Sequence, residues 1–182
     1  MKHIYLVRHC EATGQGSECP LTEKGTMQAN ELAEYFSTIS LDRIISSPYK
    51  RAVESCKEIA KEKNIDIESD HRLIERVLCN HELLDWKEKL YQSFRNRDLK
   101  LAGGESGSEA AQRGGAVIKE VLGGGSNHTL IVTHGNLLTL LLSNFDESYG
   151  YETWMKLSNP DVYRLTVNEN EINIQRIWKV AQ

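Results

Sequence analysis

Long hydrophobic runs are missing from this chain. Its longest, Leu137 to Leu142, falls far short of the roughly 20 apolar residues a membrane-spanning helix requires, and it reads as a core helix instead. Met1 to Val7 leads straight into a short apolar run of strand length, with neither the longer apolar stretch nor the small-residue cleavage site of a secretory leader. Cytoplasmic residence is therefore expected. No tract rich in Pro, Gly or Ser divides the 182 residues, so one domain spanning 1–182 is expected. The four cysteines, Cys10, Cys19, Cys56 and Cys79, lack the paired spacing of a zinc site, and in a reducing compartment they are expected to remain free thiols. Excess positive charge is also absent. A net charge of -4 with both signs spread along the chain argues against a nucleic-acid or membrane surface and leaves a small molecule as the expected partner. An anionic ligand would then need a local concentration of cations, because the overall field repels it.

The patterning that is present alternates strands with helices. Ile4 to Val7 is a continuous apolar run suited to a strand buried on both faces of a mostly parallel sheet, and it ends in Arg8-His9. From Thr22, a good N-cap, Ala29, Leu32, Ala33 and Phe36 recur at helical spacing. Arg43 to Ser46 reads as a second strand, stopped at Ser47-Pro48, where serine can cap and proline can open a helix carrying Ala52, Val53, Cys56, Ile59 and Ala60. A third strand is expected at Ile65 to Ile67. An irregular stretch from Cys79 to Gly104 follows, with a helix around Trp86 to Arg95. Ser106 and Glu109 have capping-box spacing before a helix reaching about Leu122, in which Gly114-Gly115 predicts a kink or fraying. Thr129 to Thr133 is a second apolar strand ending in His134-Gly135. Val162 to Val167 and Ile172 to Ile177 flank Asn168 to Glu171 as a terminal hairpin. The fold class expected is α/β, a three-layer αβα sandwich with a mostly parallel sheet and helices on both faces.

Such sheets bind ligands beyond the carboxyl ends of their strands, and both apolar strands deliver a histidine there, so His9 and His134 can meet. Either alone would be weak, since a lone histidine is more often structural or solvated; that is the reading for His3, His71, His81 and His128.

The surrounding residues carry a resemblance. Leu6-Val7-Arg8-His9, Leu21-Thr22-Glu23-Lys24-Gly25, Ser46-Ser47-Pro48-Tyr49-Lys50-Arg51-Ala52, Leu73-Ile74-Glu75, Gly104-Glu105-Ser106 and Val132-Thr133-His134-Gly135-Asn136 follow in the order of the landmarks of the histidine phosphatase superfamily. The chain thus resembles the group that includes the cofactor-dependent phosphoglycerate mutases. The resemblance implies a phosphoglycerate mutase-like fold and phosphoryl transfer with no metal and no cofactor. It makes His9 the nucleophile that becomes phosphohistidine, with its other ring nitrogen donating to a backbone carbonyl. Arg8 and Arg51 are implied as planar, permanently charged forks on phosphate. His134 is implied as a further donor, in imidazolium form, with Gly135 beside it. Donors of this kind are each worth about 2.7 to 4 kcal/mol in the transition state. Glu75 matches the acid and base position; that role asks for a raised pKa, hence partial burial against apolar neighbours or the like charge of the phosphate. Read alone, Glu75 would be a surface ion-pair residue and Arg51 an exposed first-turn arginine.

Two positions depart from the family pattern. Cys10 stands where glycine usually follows the nucleophile, and a thiol activated by Arg8 would be open to oxidation that blocks the pocket. Gln15 stands six positions beyond the nucleophile where the family often has Asn, and its longer amide is expected to reach phosphate. The run from His9 to Gly14 also resembles the signature of cysteine-dependent phosphatases, but Gly16 occupies the position of the required arginine.

A phosphomonoester hydrolase acting on a small phosphorylated metabolite is the expected function. The Cys79 to Gly104 region is short for the insertions that close over substrate in the family's mutases, so mutase-type phosphotransfer is the alternative. A phosphate-binding module without turnover is the reading from another class. His81, Asn80 and Trp86 are candidates to line the pocket. Phosphorylated sugars, glycerates, nucleotides and phosphopeptides all fit the sequence as substrates.

Overall fold

In the computed structural model, which describes residues 1–169 and 171–178, the elements follow the expected alternation. They are β1 (Lys2–Arg8), α1 (Glu23–Ser37), β2 (Arg43–Ser46), α2 (Lys50–Lys63), β3 (Ile67–Ser69), a 3₁₀ turn (His71–Leu73), α3 (Trp86–Arg95), α4 (Gly107–Gly123), β4 (His128–Thr133), α5 (Gly135–Ser143), α6 (Tyr151–Met155), β5 (Asp161–Val167) and β6 (Ile172–Arg176). The strands form one six-stranded sheet of order β3-β2-β4-β1-β5-β6. The first four in that order run parallel, while β5 lies antiparallel to β1 and β6 antiparallel to β5.

Strand alternation divides the core into two layers, because successive side chains point to opposite faces. Ile4 and Leu6 of β1 join Ile45 and Ile131 in packing against α4 and α5. Tyr5 and Val7 join Ile44, Leu130 and Val132 against α1 and α2. This is the αβα sandwich, and it explains why the central strands are apolar without interruption. All nine residues of α5 are buried, so its leucine run is core. Among the described residues no helix is long and apolar enough to cross a membrane.

Local signals place two of the helix starts. Thr22 caps α1 by accepting from the Gly25 N–H, and Ser106 with Glu109 forms a reciprocal capping box on α4. Three local expectations need correcting. The third strand begins at Ile67 rather than Ile65. Helix α2 starts at Lys50 with Tyr49 as its N-cap and no side-chain cap bond, because the Ser47 hydroxyl is engaged elsewhere. Helix α4 runs unbroken through Gly114-Gly115. A Cβ at Gly114 would lie 2.9 Å from Leu141 Cδ2 and 3.2 Å from Leu137 Cδ1, so the glycine serves the close approach of α4 to α5. The terminal hairpin is present, with β6 ending at Arg176; residue 170 of its turn lies outside the described residues.

Candidate active site

The sheet brings the two histidines together by register. Arg8 pairs with Thr133, and the His9 N–H donates to Thr133 O at 3.1 Å. On the other side of β4, the Ser47 N–H donates to Val132 O at 2.9 Å. His9, His134 and Ser47 therefore leave three adjacent strands at the same carboxyl edge. The imidazole centroids of His9 and His134 are 5.1 Å apart.

The His9 ring is held by both nitrogens. Nδ1 lies 2.7 Å from the Cys10 carbonyl oxygen, and Nε2 lies 3.3 Å from Arg51 Nε. A carbonyl can only accept and a guanidinium can only donate, so Nδ1 carries the proton and Nε2 keeps its lone pair. Burial lowers the ring's pKa to about 3; the carbonyl bond opposes this, and Arg51 and Arg8 add to the lowering. The imidazole is thus neutral across the physiological range. Its backbone is fixed by Asn159 Nδ2, which donates to His9 O at 2.8 Å, and by the Cys10 N–H, which donates to Ser55 Oγ at 2.8 Å.

Cys10 corrects an expectation. Its side chain is fully buried in the α1/α2 core cluster, and burial pushes its thiol up to about 12. A thiol in that setting is neither exposed nor activated.

Arg51, only 1% exposed, is the hub of the site. Besides meeting His9, it donates through Nη1 to the carbonyls of Gln15 (3.1 Å) and Gly16 (2.8 Å). Residue 15 is thereby tied through its backbone, while its side chain is exposed at the rim of the cavity. Arg8 donates through Nη1 to Leu157 O and Ser158 O, both at 3.3 Å, and its buried Nε has no protein partner. A Cβ on Gly135 would lie 3.0 Å from that Nε and 3.3 Å from Cζ, so only glycine lets the guanidinium rest on the first turn of α5.

His134 is fully buried, and its Nε2 lies 2.8 Å from Ser47 Oγ. That hydroxyl also accepts from the Tyr49 N–H at 3.3 Å, so Ser47 ties the ring to the first turn leading into α2. The other ring nitrogen, Nδ1, is buried and has no protein partner. Burial first, then the charges of His9, Arg51, Arg113 and Arg8, hold His134 well below its ordinary pKa. The expected imidazolium is corrected to a neutral ring, which still offers one N–H.

Glu75 enters from a different element. Its Oε1 accepts from the N–H groups of Arg76 (2.8 Å) and Leu137 (3.0 Å), and its Oε2 accepts from Asn136 at 3.1 Å. The carboxylate thus lies at the N-terminus of α5, where unpaired N–H groups favour an anion. It is partly buried, but among backbone donors rather than the apolar neighbours expected. Arg113 of α4 anchors the segment, donating to Arg72 O (2.6 Å) and Ile74 O (3.0 Å) while paired with Glu105.

A cavity of about 680 Å³ opens over Tyr49, Arg51 and Glu75 and extends along Val77–Cys79 and His81–Leu84 to Trp86. His81 and Trp86 therefore line it as expected; Asn80 does not, its side chain lying against Gly103. Ser47, Tyr49 and Arg113 were not expected at the site. Tyr49 lies 5.1 Å ring to ring from His134 and 5.1 Å beneath the Arg51 guanidinium. Ser47 and Tyr49 stand inside a quoted landmark, but their local pattern reads as a helix start. Nothing in the sequence near Arg113 marks it. Among the described residues no cluster of three or more His, Cys, Asp or Glu could hold a metal ion.

Comparison with known proteins bears on the family and the fold. The sequence profile of the histidine phosphatase superfamily (branch 1) matches residues 4–179. The probable phosphoglycerate mutase GpmB of Salmonella choleraesuis is 29% identical, the match covering 94% of this chain and 87% of that protein. The mycobacterial glucosyl-3-phosphoglycerate phosphatase Rv2419c, solved with inorganic phosphate, superposes with a TM-score of 0.79 at 21% identity, covering 100% of this chain and 98% of the other. A phosphoglycerate mutase from Bacillus anthracis superposes with a TM-score of 0.76 at 19% identity, covering 97% and 92%. At these identities the superpositions speak for the fold alone, and a shared fold hosts different reactions.

Proposed function

Because the chain belongs to the histidine phosphatase superfamily, we propose that it hydrolyses phosphomonoesters of small metabolites through a phosphohistidine at His9, with guanidinium groups in place of a metal ion. The observation that carries this reading is the tautomer of His9: Nδ1–H on the Cys10 carbonyl, and a lone pair on Nε2 beside Arg51. Such a ring attacks phosphorus through Nε2 as the bond to the ester oxygen breaks. The Cys10 carbonyl stabilises the positive charge that the ring then acquires. Arg8, Arg51 and the His134 ring, whose Nδ1 has no protein partner, are the groups available to the equatorial oxygens. Glu75, at the floor of the cavity, takes the proton of the bound phosphate monoanion and passes it to the leaving alkoxide. It then takes one from water, whose oxygen attacks phosphorus, breaks the P–N bond and releases phosphate with the imidazole restored. Four free cysteines suit a reducing, cytoplasmic setting for such a reaction.

Hydrolysis is preferred to mutase chemistry because the segment between Cys79 and Gly104 is short and the cavity is open above it. Rapid quenching with a ³²P-labelled phosphomonoester tests the reading. An acid-labile protein adduct is expected in the wild type and none in His9→Ala, with turnover reduced at least about 10³-fold. An acid-stable adduct on another side chain, or full turnover by His9→Ala, would refute it. Isomerisation of phosphoglycerates much faster than phosphate release would make the chain a mutase. Tight phosphate binding with no turnover would make it a binding module.

A further inference from the structure

The cavity has two kinds of lining. Its base holds Tyr49, Arg51 and Glu75, but its outer wall is a single segment, Val77 to Trp86, that contributes Val77, Leu78, Leu83, Leu84 and Trp86. Among the described residues few large apolar side chains stand exposed, and three of those belong to this wall: Val77 at 40%, Leu84 at 108% and Trp86 at 43%. Apolar groups gathered at one opening, rather than scattered, mark a surface that a ligand covers. A pocket of about 680 Å³ is of the size that holds a drug-sized ligand, far more than a phosphate group fills.

Among the described residues the wall also carries no lysine and no free guanidinium for a second anion, and the Nδ1 of its His81 is taken up locally, 3.1 Å from both Cys79 Sγ and Asn80 Oδ1. Arg51 is committed to the base of the pocket. Arg76 is 5% exposed, and it donates to Ser93 Oγ at 2.8 Å and to Glu105 O at 3.3 Å through both Nε and Nη2. Lys87 lies 5.6 Å over the Trp86 ring and does not line the cavity. Glu82 does line it, and its carboxylate repels a second negative group. Trp86 is backed edge-on by Trp154 of α6, with centroids 6.0 Å apart, so the indole is supported from within the fold.

We propose that the alcohol portion of the substrate is uncharged and predominantly apolar, the size of one or two fused rings, and that it packs on Leu83, Leu84 and Trp86; a second carboxylate or phosphate is disfavoured. This rests on the reading of the site as a phosphomonoester pocket. The test compares 1-naphthylmethyl phosphate with 3-phosphoglycerate, both of which leave as alkoxides, so leaving-group acidity does not decide the outcome. The wild type is expected to favour the naphthylmethyl ester in kcat/KM by at least about tenfold. That ratio is expected to collapse in Trp86→Ala and Leu84→Ser, chiefly through KM, since packing in ground and transition states is lost alike. Leu84 is fully exposed, so Leu84→Ser retains the fold, and a circular-dichroism melt verifies it for Trp86→Ala, whose ring packs on Trp154. Equal or better use of 3-phosphoglycerate, or a ratio untouched in both variants, overturns the proposal. If no ester is hydrolysed, the hydrolase reading fails separately. Calorimetric binding of 1-naphthylmethylphosphonate against phosphonoacetate, in wild type and both variants, then decides the question: tighter naphthylmethyl binding that the variants abolish supports the proposal, and any other order overturns it.

Discussion

Replacing Gly25 by alanine is expected to lower both stability and turnover, against the direction that helix propensity gives. Gly25 lies in the first turn of α1, where exchange to alanine in a free helix gains about 1 kcal/mol. Here a Cβ would lie 2.0 Å from Glu11 O and 3.0 Å from Glu11 C. Reaching ordinary contact requires a shift of about 1.4 Å. Glu11 O also accepts the Thr22 N–H at 3.0 Å, a bond that such a shift breaks. Overpacking costs about 1 to 3 kcal/mol and the lost hydrogen bond about 1 kcal/mol, so the net loss is about 1 to 3 kcal/mol. For a chain of this size that lowers Tm by roughly 3 to 10 °C. Glu11 adjoins Cys10, whose carbonyl holds the His9 ring, so the shift reaches the nucleophile. Misplacement on the scale of 1 Å costs about 10²-fold in rate. Gly123→Ala is the control: it ends α4 with no heavy atom within 4 Å of its added Cβ, and stability should hold or rise by up to about 1 kcal/mol. Circular-dichroism melts and kcat/KM on a phosphomonoester read both effects. If Gly25→Ala melts at or above the wild type and turns over normally, the close-contact reasoning is wrong.

Acid should unfold the protein partly through His9. Above pH 6.5 the ring is neutral in both folded and unfolded chains, and stability is complete. As pH falls from 6.5 toward about 3, only the unfolded chain takes up that proton, at about 1.4 kcal/mol per unit. Urea titrations from pH 7.5 to 4.5 should show a shallower decline for His9→Asn than for wild type; identical slopes would contradict the buried neutral ring. Arg51→Lys should cost about 10²- to 10³-fold in kcat/KM, because an ammonium cannot reach His9, Gln15 O and Gly16 O at once as a fork does. A loss under threefold would show that the fork is dispensable. A thiol reagent should label Cys19 and Cys79 in the native protein and reach Cys10 and Cys56 only after denaturation, as their burial dictates. Mass spectrometry showing Cys10 labelled as fast as Cys79 would overturn that placement.

The sequence by itself determined whatever depends on residues a turn or a strand step apart. The apolar runs from Ile4 to Val7 and in β4 suited strands buried on both faces, and the caps at Thr22 and Ser106 marked where two helices begin. Histidines ending both apolar strands pointed to one sheet edge, and the register of β1 with β4 placed them there. Tertiary structure alone decided the chemical state of the site. Whether His134 is charged depends on burial and on cations from β1, α2 and α4, none of which its neighbours in sequence reveal. Cys10 is inert because α1 and α2 close over it. Glu75 meets the N–H groups of Asn136 and Leu137, some sixty residues away, and Arg113 holds the segment that carries it. Periodicity and caps are local energies that a chain writes in its own order, whereas burial and charge-charge contact exist only once distant segments share one volume.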